Sequence, residues 1–179
     1  MIRFTTMFNS KLLILLLLLS AGTNAQTLPL IKGETTGNKQ LTLPDDLKGK
    51  YSLLGFASTM KAQDELISWL DPVYQKFIAK TGLMDDLYDV NILFIPILTG
   101  TNVSFATSMK KKFRENAQED LQDHVLFCKE DGKEILAQLN MTDRNTPYFL
   151  LLDKDSKIIY RTSGRFTEDK FDAIDDLIE

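Results

Sequence analysis

The stretch "YSLLGFASTMKAQDELISW", Tyr51 to Trp69, decides how this chain is read. Its first seven residues, "YSLLGFA", form an apolar run of strand length. The run breaks at the small polar residues Ser58 and Thr59, and "KAQDELISWL" then repeats its apolar residues at helical spacing. Leu66, Trp69, Leu70, Val73 and Phe77 would share the face turned to a sheet. A strand passing through a tight turn into an amphipathic helix is the opening unit of an α/β protein. Asp71-Pro72 reads as an N-cap followed by proline at a first helical position, so a kink or restart is expected there.

Downstream, "VNILFIPIL", Val90 to Leu98, is almost continuously apolar and β-branched, as expected of a strand covered on both faces. "VSFATSMKKKFRENAQEDL" reads as a helix, "HVLFC" (His124 to Cys128) as a strand, and "KEDGKEILAQLN" as a turn and short helix. "PYFLLLD", the turn "KDSK" and "KIIYRTSG" form an antiparallel hairpin. "TEDKFDAIDDLI" closes the chain as a helix capped by Thr167, with Glu168 and Asp169 in its first turn. Upstream, residues 26–40 read as a polar segment, with "KQLTL" as a short edge strand. Strands alternating with helices and ending in a hairpin and a helix predict an α/β sandwich with a mixed sheet.

Composition fits one globular domain: 179 residues, 44% apolar and 26% charged. Residues 1–25 read as a signal peptide, with Arg3 and Lys11 ahead of the apolar run "LLILLLLLSAG" and small residues before a cleavage point after Ala25. The run is short for a membrane span, and an uncleaved N-terminal anchor is the alternative. Cleavage would leave Gln26 first, so no lipoprotein anchor follows, no stable membrane anchor remains, and the protein is expected in the periplasm or secreted. Leaving out residues 1–25 takes the formal charge from -4 to -6, which disfavours nucleic acid and anionic lipid as partners.

The chain has one cysteine, Cys128, and one histidine, His124. An exported domain with a lone cysteine is held by its core and not by a disulfide. A thiol within an apolar run reads first as a small buried hydrophobe, with an exposed reactive thiol as the alternative. One histidine without partners at ligand spacing gives no metal site, and no cofactor is expected. "DKDSK" begins like a calcium loop, but Ile158 stands where the glycine belongs and Gly164 where the final glutamate belongs. Phosphate-loop and nucleophile-elbow patterns are absent. Asn102 and Asn140 head glycosylation-type triplets that have little meaning in a bacterial-type export route.

From Leu41 to the C-terminus the chain resembles the thioredoxin-like superfamily, on "LKGKYSLLGFAS", on "NTPYFLLLDKDSKIIYRTSGRFTEDKF" and on the spacing between them. The resemblance implies a three-layer α/β/α sandwich over residues 41–179, with a mixed central sheet, a C-terminal β-hairpin and a terminal helix. It implies a cis bond at Thr146-Pro147, facing the turn after the first strand. The family's two cysteines would fall near Lys61 and Asp64, so self-contained thiol-disulfide exchange is excluded. "SWLDP" and "LNMTDRNTPYFLLLDKDSKIIYRTSG" are further similar to the mitochondrial ATP synthase assembly factor family, at Ser68, Trp69, Pro72, Asn145, Tyr148, Leu151, Asp153, Ser163 and Gly164. That family commonly has glycine where this chain has Pro147.

The resemblance implies a binding groove in which Ser58, Thr59, Met60, Lys61 and Asp64 face Thr146 and Pro147, and an extended polypeptide pairs with Thr146. The expected function is a redox-inactive, exported protein that binds a polypeptide client or assists assembly. The alternatives are a single-thiol redox protein using Cys128 and a stress-protective module with an inert surface.

Overall fold

A computed structural model describes residues 26–100, 106–129 and 132–178. The strands are β1 (Ile31–Thr35), β2 (Gln40–Leu43), β3 (Tyr51–Ala57), β4 (Val90–Pro96), β5 (Leu126–Cys128), β6 (Tyr148–Leu152) and β7 (Ile158–Ser163). The helices are α1 (Met60–Val73), α2 (Ala106–Asn116), α3 (Gly132–Gln138) and α4 (Glu168–Ile178). The signal-peptide reading and the Asn102 triplet fall outside the described residues.

Four strands run in the order β4-β3-β6-β7, with β3 and β4 parallel and the other pairs antiparallel. β2, β1 and β5 form a second, antiparallel group, joined to the first by a parallel bridge between Phe94 and Val125. The continuous apolar runs explain why the central strands lie between two cores. Side chains alternate along a strand, so Leu54, Phe56, Leu93, Ile95, Leu150 and Leu152 pack on one face with Ile135 and Leu139 at and beyond α3. Leu53, Ala57, Ile92, Phe94, Phe149 and Leu151 pack on the other with Leu66, Trp69 and Val73 of α1 and Ile174 and Ile178 of α4. The result is the expected thioredoxin-like sandwich of helix, mixed sheet and helix.

Three local expectations are corrected. The lead-in segment read as polar contains β1, whose Ile31, Gly33 and Thr35 are buried. Its inward residues include a glycine and a threonine, so hydropathy hides a strand that pairs on both sides. His124 does not open a strand: it ends the 3-10 segment Glu119–His124, and its Nδ1 lies 2.8 Å from the Ile92 carbonyl oxygen. Asp71 caps nothing and α1 does not restart at Pro72; the helix passes through Pro72 to Val73 and widens into a π segment, Tyr74–Ile78. Proline has no N–H for the carbonyl one turn back, and a local change of helical pitch accommodates that loss.

Candidate functional site

β3 ends at Ala57, whose carbonyl accepts the Ile97 N–H, and the chain turns at Ser58 into α1. Thr59 is the N-cap: its backbone is extended and its hydroxyl oxygen accepts the Ala62 N–H at 3.2 Å. Such a cap stabilises a helix by about 1 kcal/mol. Across the turn lies the loop 142–147. The Arg144 carbonyl accepts from both hydroxyls, Ser58 Oγ at 3.0 Å and Thr59 Oγ1 at 3.1 Å. The turn at Ser58 and Thr59 and the loop that carries Thr146 and Pro147 are therefore joined through Arg144, a residue that the sequence reading did not single out.

The loop is shaped by Asp143. Its carboxylate accepts the Asn145 N–H at 2.9 Å and the Thr146 hydroxyl at 2.7 Å, and its own N–H donates to the Tyr148 hydroxyl oxygen. The Thr146 bond, then the Asn145 N–H and the Lys61 charge, outweigh the effect of burial and hold the Asp143 carboxyl below the ordinary range. Arg144 reaches Thr99 Oγ1 at 2.7 Å. Asp and Asn fold short loops by bonding to backbone one or two residues on, and "TDRNTP" carries that signal. Asp143 and Asn145 carry a turn signal that the sequence reading did not use, and nothing local marks Arg144 as the contact with α1.

Pro147 is buried, and its carbonyl accepts the Gly164 N–H at 2.9 Å. The expected cis bond is not at Thr146-Pro147; among the described residues the cis bond is Leu43-Pro44. Thr146 is half-buried and ends the turn at Arg144 and Asn145, and among the described residues no partner is found for its C=O. Lys61 and Asp64 are exposed, as is Met60. No cysteine stands at this turn, and no group of three metal-binding side chains occurs among the described residues. What the arrangement presents is the Thr146 carbonyl beside a capped helix terminus.

Cys128 lies elsewhere, half-buried on β5. It packs against the α3-side core and lines a cleft of about 570 Å³ with Lys110, Lys111, Arg114 and Lys129. Neither bland alternative fits it fully, since it is neither deeply buried nor openly exposed.

A third constellation joins α1 to the end of β7. Trp69 is fully buried and stacks on Phe149 with ring centroids 4.1 Å apart, and its Nε1–H donates to the Gly164 carbonyl at 2.9 Å. Ser68 Oγ accepts the Phe166 N–H at 2.9 Å. Gly164 has φ +85°, a conformation that favours glycine. A Cβ on Gly55 would stand 2.8 Å from the Phe149 ring, so the bare strand admits the aromatic that Trp69 covers.

The family pattern described as ATP10 protein matches residues 21–178. This chain belongs to the ATP10 protein family. Both resemblances read from the sequence therefore hold, the mitochondrial ATP synthase assembly family and the thioredoxin-like frame. Ser68, Trp69 and Gly164, three of the positions that carry the resemblance to the mitochondrial ATP synthase assembly factor family, are the ones that staple α1 to the loop after β7.

The thioredoxin domain of a thiol-disulfide oxidoreductase from Bacteroides vulgatus is similar at 19% identity and TM-score 0.58, over 87% of this chain and 97% of that one. BsSco, a member of the Sco family of cytochrome c oxidase assembly proteins, is similar at 16% identity and TM-score 0.58, over 86% and 92%. The exposed lipoprotein thioredoxin of Streptococcus pneumoniae is similar at 15% identity and TM-score 0.54, over 83% and 99%. At these identities the likeness is one of fold. No curated protein matches the chain. Among the described residues no helix is long and apolar enough to cross a membrane.

Proposed function

We propose that this ATP10-family chain is a redox-inactive assembly factor that holds a polypeptide client, of the ATP synthase class its family name indicates, against the loop 142–147 and the start of α1. The observation that carries the reading is the Thr146 carbonyl, which has no hydrogen-bond partner among the described residues and lies beside a turn without cysteine. An extended segment that pairs there gains main-chain hydrogen bonding, with side-chain contacts setting specificity. Ser58, Thr59, Met60, Lys61 and Asp64 would flank it on one side and Pro147 on the other. Export with cleavage after Ala25 belongs to this reading, and mass spectrometry of the mature chain should find Gln26 first; an intact leader would sink it.

The test is site-specific crosslinking from the groove to newly made ATP synthase subunits, in the native chain and in Thr146→Arg. A defined subunit captured by the first and lost in the second, at unchanged melting temperature, supports the groove. Equal capture by both overturns it. The second reading, a single-thiol redox role, rests on the cations around Cys128, which would favour a thiolate. Alkylation of Cys128 only after denaturation would remove it.

A further inference from the structure

A cleft separate from the groove lies between α2 and the β1–β5 pair. Lys110, Lys111 and Arg114 reach it from one helix face and Lys129 from the end of β5, over a floor that includes Phe127. Glu34 is the acidic residue in its lining. Among the described residues of the lining, four cations face one carboxylate, in a chain whose formal charge is -4. Like charges brought together repel; carboxylates offset part of that charge at Lys110 and Lys111, while neutral acceptors hold Arg114 and Lys129 in place.

Arg114 donates from Nε to the Thr36 carbonyl at 2.9 Å and from Nη2 to Asn38 Oδ1 at 2.6 Å. Lys129 donates to Gln40 Oε1 at 2.7 Å. Lys111 sits 3.9 Å from Glu115, at the outer limit of an ion pair, with a largely exposed ammonium. Lys110 is closely paired, with Glu34 at 2.6 Å. The Lys110 hydrogen bond, opposed by burial and aided by Gln40 and the Lys129 charge, holds the Glu34 carboxyl below its ordinary range. Donors already held in place lose little freedom on binding an anion.

We propose that this cleft binds an acidic segment of polypeptide, whose carboxylates meet Lys111, Arg114 and Lys129. Its volume, about 570 Å³, is in the range of small-ligand sites and accommodates a few side chains. Nucleic acid suits it less well. The negative charge of the whole molecule opposes a long polyanion, and the one lining aromatic, Phe127, is buried and offers no face for base stacking. The cleft shares no residue with the Thr146 groove, so either surface can fail without the other.

The experiment is a fluorescence-anisotropy titration of the full chain with a fluorescein-labelled peptide of alternating Glu and Ser. Saturable binding is expected, weakening steeply as salt rises. Lys111→Glu/Lys129→Glu should weaken it about tenfold or more. Both residues are exposed, so the melting temperature should not change; Lys111→Ala/Lys129→Ala, expected to weaken binding several-fold, guards against a folding effect of charge reversal. The corresponding Gln–Ser peptide should not bind, and duplex DNA should not compete. Absence of saturable binding, binding by both double variants as tight as the parent's, or displacement by DNA overturns the proposal, the last assigning the cleft to phosphate.

Discussion

Trp69 sits between Phe149 and Phe166, with its one polar atom bonded to the Gly164 carbonyl. Replacing it by Phe keeps most of the ring but leaves that carbonyl without its donor, and should cost about 1–3 kcal/mol. Trp69→Ala should cost about 3–5 kcal/mol, and Ser68→Ala about 1 kcal/mol through the Phe166 N–H. Denaturant titration followed by far-UV circular dichroism measures all three, and a Trp69→Phe chain as stable as the parent would refute the staple. Asp143 gives a pH prediction. Its folded carboxyl lies below the ordinary value, so the contribution is present above about pH 4 and is lost as pH falls through the folded pKa. An NMR titration should place its midpoint below the ordinary range, and Thr146→Val, which removes the leading cause, should move it back up. The sequence shows Asp143 as a turn former; that Arg144, one residue on, presents its carbonyl to Ser58 and Thr59 could not be read there, because the meeting depends on where β3 and β6 lie in the sheet.

Among the elements, β1 is the one most hidden from sequence. Ile31 is fully buried and Leu28 nearly so, and Gly33 pairs with Cys128 across the strand. A chain beginning at Leu41, the boundary that the thioredoxin-like resemblance implies, would lose both side chains and bare the β5 edge. At about 2–5 kcal/mol for each large buried side chain removed, against about 5–15 kcal/mol for a whole domain, this truncation should unfold or aggregate while a chain from Gln26 folds. A cooperative melt of the shorter chain near the parent's temperature would contradict that. The π segment after α1 is tied to α4 by Lys76 and Asp175, 2.6 Å apart and mostly buried, with the Lys76 ammonium over the Tyr88 ring. Burial lowers the Lys76 pKa, but its bonds to Asp175 and Tyr88 outweigh that and leave it raised. Its contribution is therefore full at neutral pH and lost as pH rises through the folded pKa. Asp175→Asn should cost about 1–2 kcal/mol, read from the shift in urea midpoint.

At the scale of the whole molecule, the lone cysteine means that no internal disulfide supports the fold. Melting temperatures in reducing and oxidising buffer should coincide at low protein concentration, where pairing between two chains is negligible; a higher value under oxidation would show that Cys128 forms a stabilising bond. By itself the sequence determined the layered α/β class, both faces of the central strands, the amphipathic faces of α1 and α4, the family and the missing redox pair. These are properties of periodicity and residue identity, which survive without knowing who neighbours whom. Tertiary structure alone decided that a polar-looking segment is a strand, that Pro72 is absorbed within a helix, and that Thr146-Pro147 is not the cis bond. It also decided that Arg144 closes on Ser58 and Thr59 and that four cations share a cleft with Cys128. Each of these depends on packing between residues far apart in the chain, which local pattern does not encode.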